Sequence, residues 1–479
     1  MSFVQIEFLA FFAAVWLVYW SLPRRAQNAL LVASGAVFYG WVHPWFLTLI
    51  GFSALLDFWF GRQIAADPER GRRFVWLSVA GNLGMLGTFK YLGWFLDNVD
   101  AVLSVVGLGG MPTLQLLLPV GISFYTFQTL SYTIDVHRGR VEARDDLLDY
   151  LVFVSFFPQL VAGPIERAGD LLPQVETDRV LRWEDQRDGL SLALWGAFKK
   201  VALADAIAPW VDRIYAHPSP SSAMIWAATL GFSVQLLSDF SGYTDIARGT
   251  GRMLGFRLRE NFRWPFMAAT PMEAWSRYHM SFTSWLTDYV YYPLASSAWV
   301  RRIALPGQVV GGRGLLARVT VLTFLLSGLW HGAAWHFVAW GVYLGLLQLV
   351  YAAIQRRLPA SMTDDARWRW VTVPVMFGWQ LLALMLFRTP SLATVGSYLT
   401  LVPWQSTPEQ TVVATAMLGI TLVCAAPLVA MMLAEWYLIP RVQQARWYLP
   451  VQTTGWALAA WSVWFMARPT VTDFVYFQF

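Results

Sequence analysis

The chain has one cysteine in 479 residues, Cys424. A lone thiol excludes an intrachain disulfide and any zinc site built on several cysteines. It lies in the apolar run Leu418–Pro427, where it reads as a small buried or lipid-facing residue. Charge is also scarce: 14% of residues are Asp, Glu, Lys or Arg, against about 25% in an ordinary soluble domain. There is no Gly-x-Ser-x-Gly elbow, no Walker loop and no His-Glu-x-x-His pair, which sets aside the common soluble hydrolase, nucleotide-binding and zinc-protease designs. No positive residue precedes the first apolar run, Val4–Leu22, and Arg24 and Arg25 follow it. That order is the reverse of a cleaved secretory signal and predicts a retained first helix with its N-terminus outside.

Apolar residues make up 57% of the chain, with 27 Trp among them, a composition suited to many membrane segments with aromatic anchors at the lipid–water boundary. The net charge of +5 could suggest nucleic acid. The basic residues instead sit in short loops between apolar runs, as the positive-inside rule requires, so nucleic acid is excluded as a partner. The turn Trp41–Trp45, with His43 and Pro44, should be external. The loop with Arg62, Arg70, Arg72 and Arg73 should be cytoplasmic, and the one near Asp97 and Asp100 external. After Leu114–Ile134, Arg138, Arg140 and Arg144 should return the chain to the cytoplasm.

Later apolar runs are Leu147–Val161, Leu190–Tyr215, Met224–Leu237, Val319–Val350, Val371–Leu386, Leu392–Val402, Val412–Leu438 and Val451–Met466. Several are too short or too long for one span of about 20 residues, so roughly ten to twelve membrane segments are expected, some broken or re-entrant. No repeat or linker divides the chain, and residues 1–479 read as a single all-α polytopic membrane domain. The stretch Asp239–Tyr292 is too polar to cross lipid yet carries Trp264, Phe266, Trp275, Phe282, Trp285 and Tyr289. It reads as short helices lying in the cytoplasmic interface or folded into the protein's centre.

Among the six histidines, His43 and His217 occupy turns and His137 a predicted helix end, positions with ordinary structural explanations. His331 lies in Phe324–Ala333, inside a run without a charged residue from Val319 to Tyr351. An ionisable group in such a run is costly and marks a functional candidate; the plainer alternative is a neutral histidine bonded to another helix. Gly328 and Gly332 leave room for a substrate or for close helix packing. His336, five residues on, does not share a helical face with His331 and offers no metal pair. His279, in Trp275-Ser276-Arg277-Tyr278-His279-Met280-Ser281, reads as an exposed or capping residue or a second site histidine. Acyl transfer to a hydroxyl needs a base for the hydroxyl proton and donors for the carbonyl oxygen; a membrane-embedded histidine beside a polar, aromatic-rich segment can supply both.

Six segments in order carry a family resemblance: Pro119–Gln128, Phe157–Ile165, Phe198-Lys199-Lys200, Asp239–Asp245 with Glu260-Asn261-Phe262, Trp275–Leu294, and Ser327–Gly332. Together, over about Leu118–Leu346, they resemble the membrane-bound O-acyltransferases, most closely the bacterial branch typified by the membrane subunit of alginate O-acetylation. The resemblance implies a helical bundle around a central tunnel, with donor entering from the cytoplasm and acceptor from outside. It makes His331 the catalytic histidine and His279 the second site residue. Arg277, Trp275 and Asp288 near His279, Ser327 and Trp330 near His331, and Asp239 and Tyr243 become candidates for binding donor or substrate. No metal or bound cofactor is expected.

The activity implied is transfer of an acetyl group from a cytoplasmic thioester, acetyl-CoA being the expected donor, to a hydroxyl for acetylation of an extracellular polysaccharide such as alginate. An extracellular SGNH-type acetyltransferase partner and the bacterial inner membrane come with it. Two departures bear on the acceptor rather than the reaction class: Ala295-Ser296-Ser297 replaces the paired glycines common after this segment, and His336 replaces a small polar residue. Alternatives are another envelope polymer (peptidoglycan, cellulose, or teichoic acid receiving D-alanine) and, in another class, a proton-coupled transporter. The transporter reading expects inverted repeats, and none is visible.

Overall fold

A computed structural model describes residues 1–110, 114, 116–161, 163–298, 300, 313–358, 366–389, 391–400, 405–442, 445 and 448–466. Residue 115 of the Leu114–Ile134 run, Ala162 of the Phe157–Ile165 segment and residues 401–402 of the Leu392–Val402 run lie outside them. Helices dominate: α1 Ile6–Tyr19, α2 Arg24–Gly40, α3 Phe46–Ala66, α4 Gly71–Val105, α5 Ile122–His137, α6 Leu147–Ser155, α7 Phe157–Leu160 and α8 Ala168–Glu176. There follow α9 Trp183–Phe198, α10 Asp205–Tyr215, α11 Ser222–Met253, α12 Pro271–Arg277, α13 Met280–Leu286 and α14 Tyr292–Ser296. The remainder are α15 Arg313–His331, α16 Trp335–Gln355, α17 Arg369–Arg388, α18 Leu392–Thr400, α19 Pro408–Leu433, α20 Ile439–Val442 and α21 Tyr448–Met466. No strand occurs among the described residues; Phe262 and Tyr278 form an isolated antiparallel bridge.

Among the described residues, five stretches are long and apolar enough to cross a membrane: Ser222–Met253, Gly314–His331, Trp335–Gln355, Arg369–Arg388 and Pro408–Val442. This is an all-α, multi-pass architecture. Its packing groups into two compact units, residues 1–193 with 243–260, and residues 194–242 with 261–479.

In the first unit, α3, α4 and α5 are tied by buried polar side chains. Ser78 and Asn82 donate to the two oxygens of Asp57 at 2.5 and 2.8 Å, and Ser53 donates to Asn82 Oδ1 at 2.6 Å. Ser78 and Thr133 share a hydrogen bond at 3.0 Å. With no water to compete, a buried polar group holds its place only by such pairing. Asn28 bonds Asp149 at 2.7 Å and Arg179 bonds Asn28 at 2.6 Å, fastening α2 to the α6 and α8 region. A Cβ at Gly189 would meet the Gly249 carbonyl oxygen at 2.7 Å, so α9 and α11 approach there backbone to backbone.

Several expected loops are helical. Arg62, Arg72 and Arg73 lie on α3 and α4, leaving a short connection at 67–70, and Asp97 and Asp100 ride on α4. At 35 residues α4 is about 52 Å long by its rise per residue, longer than the hydrocarbon layer of about 30 Å, so its end can carry acids without a loop. The Leu114–Ile134 run is helical only from Ile122.

The structure corrects the reading of Asp239–Tyr292. The first fifteen residues of that stretch continue α11, the most buried of the five candidate spans. Asp239 is 1% exposed and Lys200 also 1%, with Lys200 Nζ 2.7 Å from Asp239 Oδ1 and 2.7 Å from Asp205 Oδ1. Lys199 Nζ donates to Ser241 Oγ at 2.9 Å. Residues Lys199–Ala204 form a π-helical stretch between α9 and α10, and such bulges re-aim side chains. Hydropathy counts these charges against a span, but pairing offsets part of their cost.

Candidate active site

Two chain segments of the second unit meet around Asn261. The bridge Phe262–Tyr278 is flanked by N–H bonds from Arg263 to the Arg277 carbonyl at 3.0 Å and from Met280 to the Asn261 carbonyl at 2.9 Å. The turn into α13 puts His279 at φ +48°, and Trp264, before the short turn Pro265–Met267, is at φ +49°. Left-handed backbone at a non-glycine residue is rare and persists where the surroundings impose it.

Asn261 imposes it at His279. Its Oδ1 accepts from the Ser281 N–H at 3.1 Å and the Ser281 hydroxyl at 2.9 Å, and lies 3.0 Å from His279 Nδ1. Because the Ser281 N–H can only donate, the Asn261 atom is the amide oxygen, and Nδ1 must carry the proton. Nε2 is then the acceptor nitrogen of the ring. Burial drives the His279 pKa down to about 3, so the ring is neutral at physiological pH. Phe240 stands edge-on to it at 4.7 Å.

His331 ends α15. The long Val319–Val350 run is two helices, broken at Gly332–Ala334, where Ala334 is extended before α16 begins. A Cβ at Gly328 would collide with the Phe337 carbonyl oxygen, and one at Gly341 with that of Phe324. The two helices therefore pack as a tight hairpin. His331 is 8% exposed and is boxed by aromatic rings, with Trp330, Trp340 and Phe387 centroids at 4.7, 4.8 and 5.2 Å. Its place at a helix C-terminus favours a positive charge when one forms there.

His279 and His331 line one cavity of about 100 Å³, with Trp275, Tyr278, Phe282, Gln348 and Gln380 also in its wall. Phe282 spans the two histidines, its ring 5.1 Å from His279 and 6.0 Å from His331. The Tyr278 hydroxyl and Gln380 Nε2 are buried without hydrogen-bond partners. Burial, then the charge of Asp239, raises the Tyr278 pKa, so its hydroxyl keeps its proton and stays a donor.

The other sequence candidates divide. Trp330 stacks on Phe282 at 4.0 Å, and Ser327, one turn before His331, is fully buried with its hydroxyl unpartnered. Arg277 bonds Glu273 at 2.6 Å, and Arg369 bonds the same carboxylate at 3.0 Å. Burial opposes ionisation of Glu273, but the Ala269 N–H and these two arginines outweigh it and hold its pKa low. Asp288 sits in the π-helical stretch Thr287–Tyr291 and is not in the cavity wall. Asp239 is engaged with Lys200, and Tyr243 belongs to the first unit, where its hydroxyl shares a 2.7 Å hydrogen bond with Ser2. His336 is on α16, one element beyond His331.

Sequence reasoning missed Asn261 as the residue that orients His279, and it missed Gln348 and Gln380. A neutral amide within an apolar run is the signal that marks the two glutamines.

Residues 143–392 match the membrane-bound O-acyltransferase family (MBOAT). The chain is 35% identical over 399 residues to the probable alginate O-acetylase AlgI of Azotobacter vinelandii, covering 82% of this chain and 76% of that protein. It is 30% identical over 420 residues to the peptidoglycan O-acetyltransferase of Helicobacter pylori, covering 80% and 76%. With the teichoic acid D-alanyltransferase of Bacillus subtilis it shares 27% over 279 residues, 55% and 66% of the two chains. The chain belongs to the membrane-bound O-acyltransferase family and is a multi-pass membrane O-acyltransferase.

Proposed function

We propose that this enzyme moves an acetyl group from a thioester of the acetyl-CoA kind, taken from the cytoplasm, to a hydroxyl, for acetylation of an extracellular polysaccharide. The observation that carries the reading is the convergence of His331 and His279 on one buried cavity whose wall holds an unpartnered donor. The two relatives most extensively matched above are named for O-acetylation of alginate and of peptidoglycan; alginate-like exopolysaccharide is the first acceptor to test. The direct acceptor is either the glycan hydroxyl or the serine-type hydroxyl of an extracellular SGNH-like partner.

His331 is the general base. The acceptor oxygen attacks the thioester carbonyl carbon, the C–O bond forms, and the hydroxyl proton passes to the imidazole. The carbonyl electron pair moves onto oxygen, where the Tyr278 hydroxyl is the available donor. Collapse re-forms the carbonyl and breaks the C–S bond, and the leaving thiolate takes the proton back from His331. The C-terminal end of α15 stabilises the transient imidazolium. Neutral His279 accepts through Nε2, orienting substrate beside the base. The arginines after α1 and around 138–144 favour a periplasmic N-terminus in the bacterial inner membrane.

The test is acetyl-ester content of exopolysaccharide from a deletion strain carrying the wild type or His331→Ala. Wild type should restore the esters and the variant should lose about 10²–10⁴-fold of the transfer rate at equal membrane abundance. Full restoration by the variant sinks the base assignment. Restoration by neither directs attention to another polymer or another acyl group.

A further inference from the structure

The cavity wall changes in character along α16 and α17. Phe387 and Trp340 touch His331, while Gln380 and Gln348 lie on the same two helices, seven and eight residues away. At 1.5 Å per residue the two carboxamides stand about 10–12 Å along the helix axes from the base. The hydroxyl of Tyr343 on α16 bonds the Trp379 carbonyl on α17 at 2.8 Å, so the two helices are joined next to Gln380. Gln380 Nε2 is a buried donor with no partner, an arrangement that costs stability unless a ligand completes it. Further along α17, Arg369 lies eleven residues before Gln380, about 16 Å on, where it and Arg277 share the single carboxylate of Glu273. Two guanidinium groups against one carboxylate leave one positive charge beyond the glutamines.

We infer that Gln380 and Gln348 recognise the amide groups of the pantetheine arm that carries the acyl thioester, and so select the donor. This rests on the acyl-transfer reading of the His331 cavity. In an extended pantetheine arm the two amides lie roughly 4 and 9 Å from the sulfur, and the second falls at the level of the glutamines when the thioester is at His331. A carboxamide pairs with an amide as both donor and acceptor. The phosphate that follows the arm reaches toward the Arg277–Arg369 end. Coenzyme A and an acyl carrier protein present the same phosphopantetheine arm, so the glutamines serve either source.

The experiment uses membrane vesicles carrying the full chain and its partners, with three acetyl thioesters as donors: S-acetyl-N-acetylcysteamine, which has one amide, acetyl-pantetheine, which has two, and acetyl-CoA. Wild type should prefer acetyl-pantetheine over the truncated donor in kcat/KM by about tenfold or more, the value of one or two recognised hydrogen bonds. Gln380→Leu and Gln348→Leu should each bring that ratio close to one, with the loss in KM rather than kcat. Gln380→Met, of similar length, guards against a packing defect in Gln380→Leu and should behave alike. Comparing acetyl-CoA with an acetylated carrier protein identifies which source delivers the arm.

An unchanged donor ratio in variants of wild-type abundance overturns the inference, as does a wild type that does not distinguish the donors. His331→Ala run in parallel separates the two levels. If that variant transfers normally, the cavity reading falls; if it is inactive while the glutamine variants keep the wild-type ratio, only the donor assignment falls.

Discussion

Two buried polar regions of this enzyme obey different rules. In the three-helix knot around Asp57, Ser78, Asn82 and Ser53 aim their donors at acceptors 2.5–2.8 Å away, and both Asp57 oxygens are occupied. In the cavity of the second unit, the Tyr278 hydroxyl and Gln380 Nε2 are as sheltered from water and have no partner. Burying an unsatisfied donor costs about 1–3 kcal/mol, so a fold with no use for these groups would have replaced them with apolar ones. The knot is polar to fix helix register; the cavity is polar to meet something that comes and goes.

Asn261 is where the two rules meet, because its Oδ1 is fully engaged while its Nδ2 is buried without a partner. Its Oδ1 fixes both the tautomer and the left-handed backbone of His279. Asn261→Ala should lower kcat by about 10²-fold, the effect of misplacing a reacting group by about 1 Å, with the protein still present in the membrane. Asn261→Asp, which keeps an acceptor oxygen, should recover part of that rate. Steady-state transfer at matched abundance measures both; normal turnover by the alanine variant would make the His279 geometry incidental.

The first unit has unpartnered oxygens of its own, and one of them sharpens the contrast. Glu166 is fully buried, with Oε1 accepting the Arg259 N–H at 2.7 Å and Oε2 unpaired. Burial raises its pKa to about 7, opposed by that N–H and by the Arg259 and Arg248 charges and assisted by Asp170. Here the missing partner is a proton. Since the folded value lies above the unfolded one, the contribution is complete below about pH 4 and is lost as pH rises through about 7. The change is on the order of 3 kcal/mol. Glu166→Gln should flatten the dependence of Tm on pH between 5 and 8, raising Tm at pH 8 relative to wild type. Parallel Tm–pH curves for the two proteins would show that Glu166 is ionised throughout.

How much of this was legible beforehand follows the same division. His331 stands out because it is an ionisable group in a run without charge, and the span Arg369–Arg388 follows from apolar length alone, whereas Val319–Val350 reads as one run until its break at Gly332–Ala334 is seen. The extent of α11 did not, because Lys200 and Asp239 look prohibitively polar until they are seen paired at 2.7 Å. Asp97 and Asp100 resemble a loop only if a helix must stop at the membrane edge, and α4 does not stop there. Asn261 lies eighteen residues before His279, and its role depends on a turn that puts His279 at φ +48°; no spacing rule finds that. Gln380 and Gln348 carry no charge, so a search for ionisable groups within the spans passes over them.

Ser327 gives the smallest effect and the most discriminating one. It is fully buried, sits one turn before His331 on α15, and its hydroxyl has no hydrogen-bond partner. If the comparison holds, Ser327→Ala removes an unsatisfied group from the resting protein and should leave Tm unchanged or slightly higher, by at most about 1 kcal/mol of stability. Ser327 is outside the cavity wall, so transfer should fall several-fold through His331, one turn further along the helix. A variant both less stable and fully active would reverse the assignment: Ser327 would then belong with Ser78 and Asn82, a residue that packs helices and takes no part in the reaction.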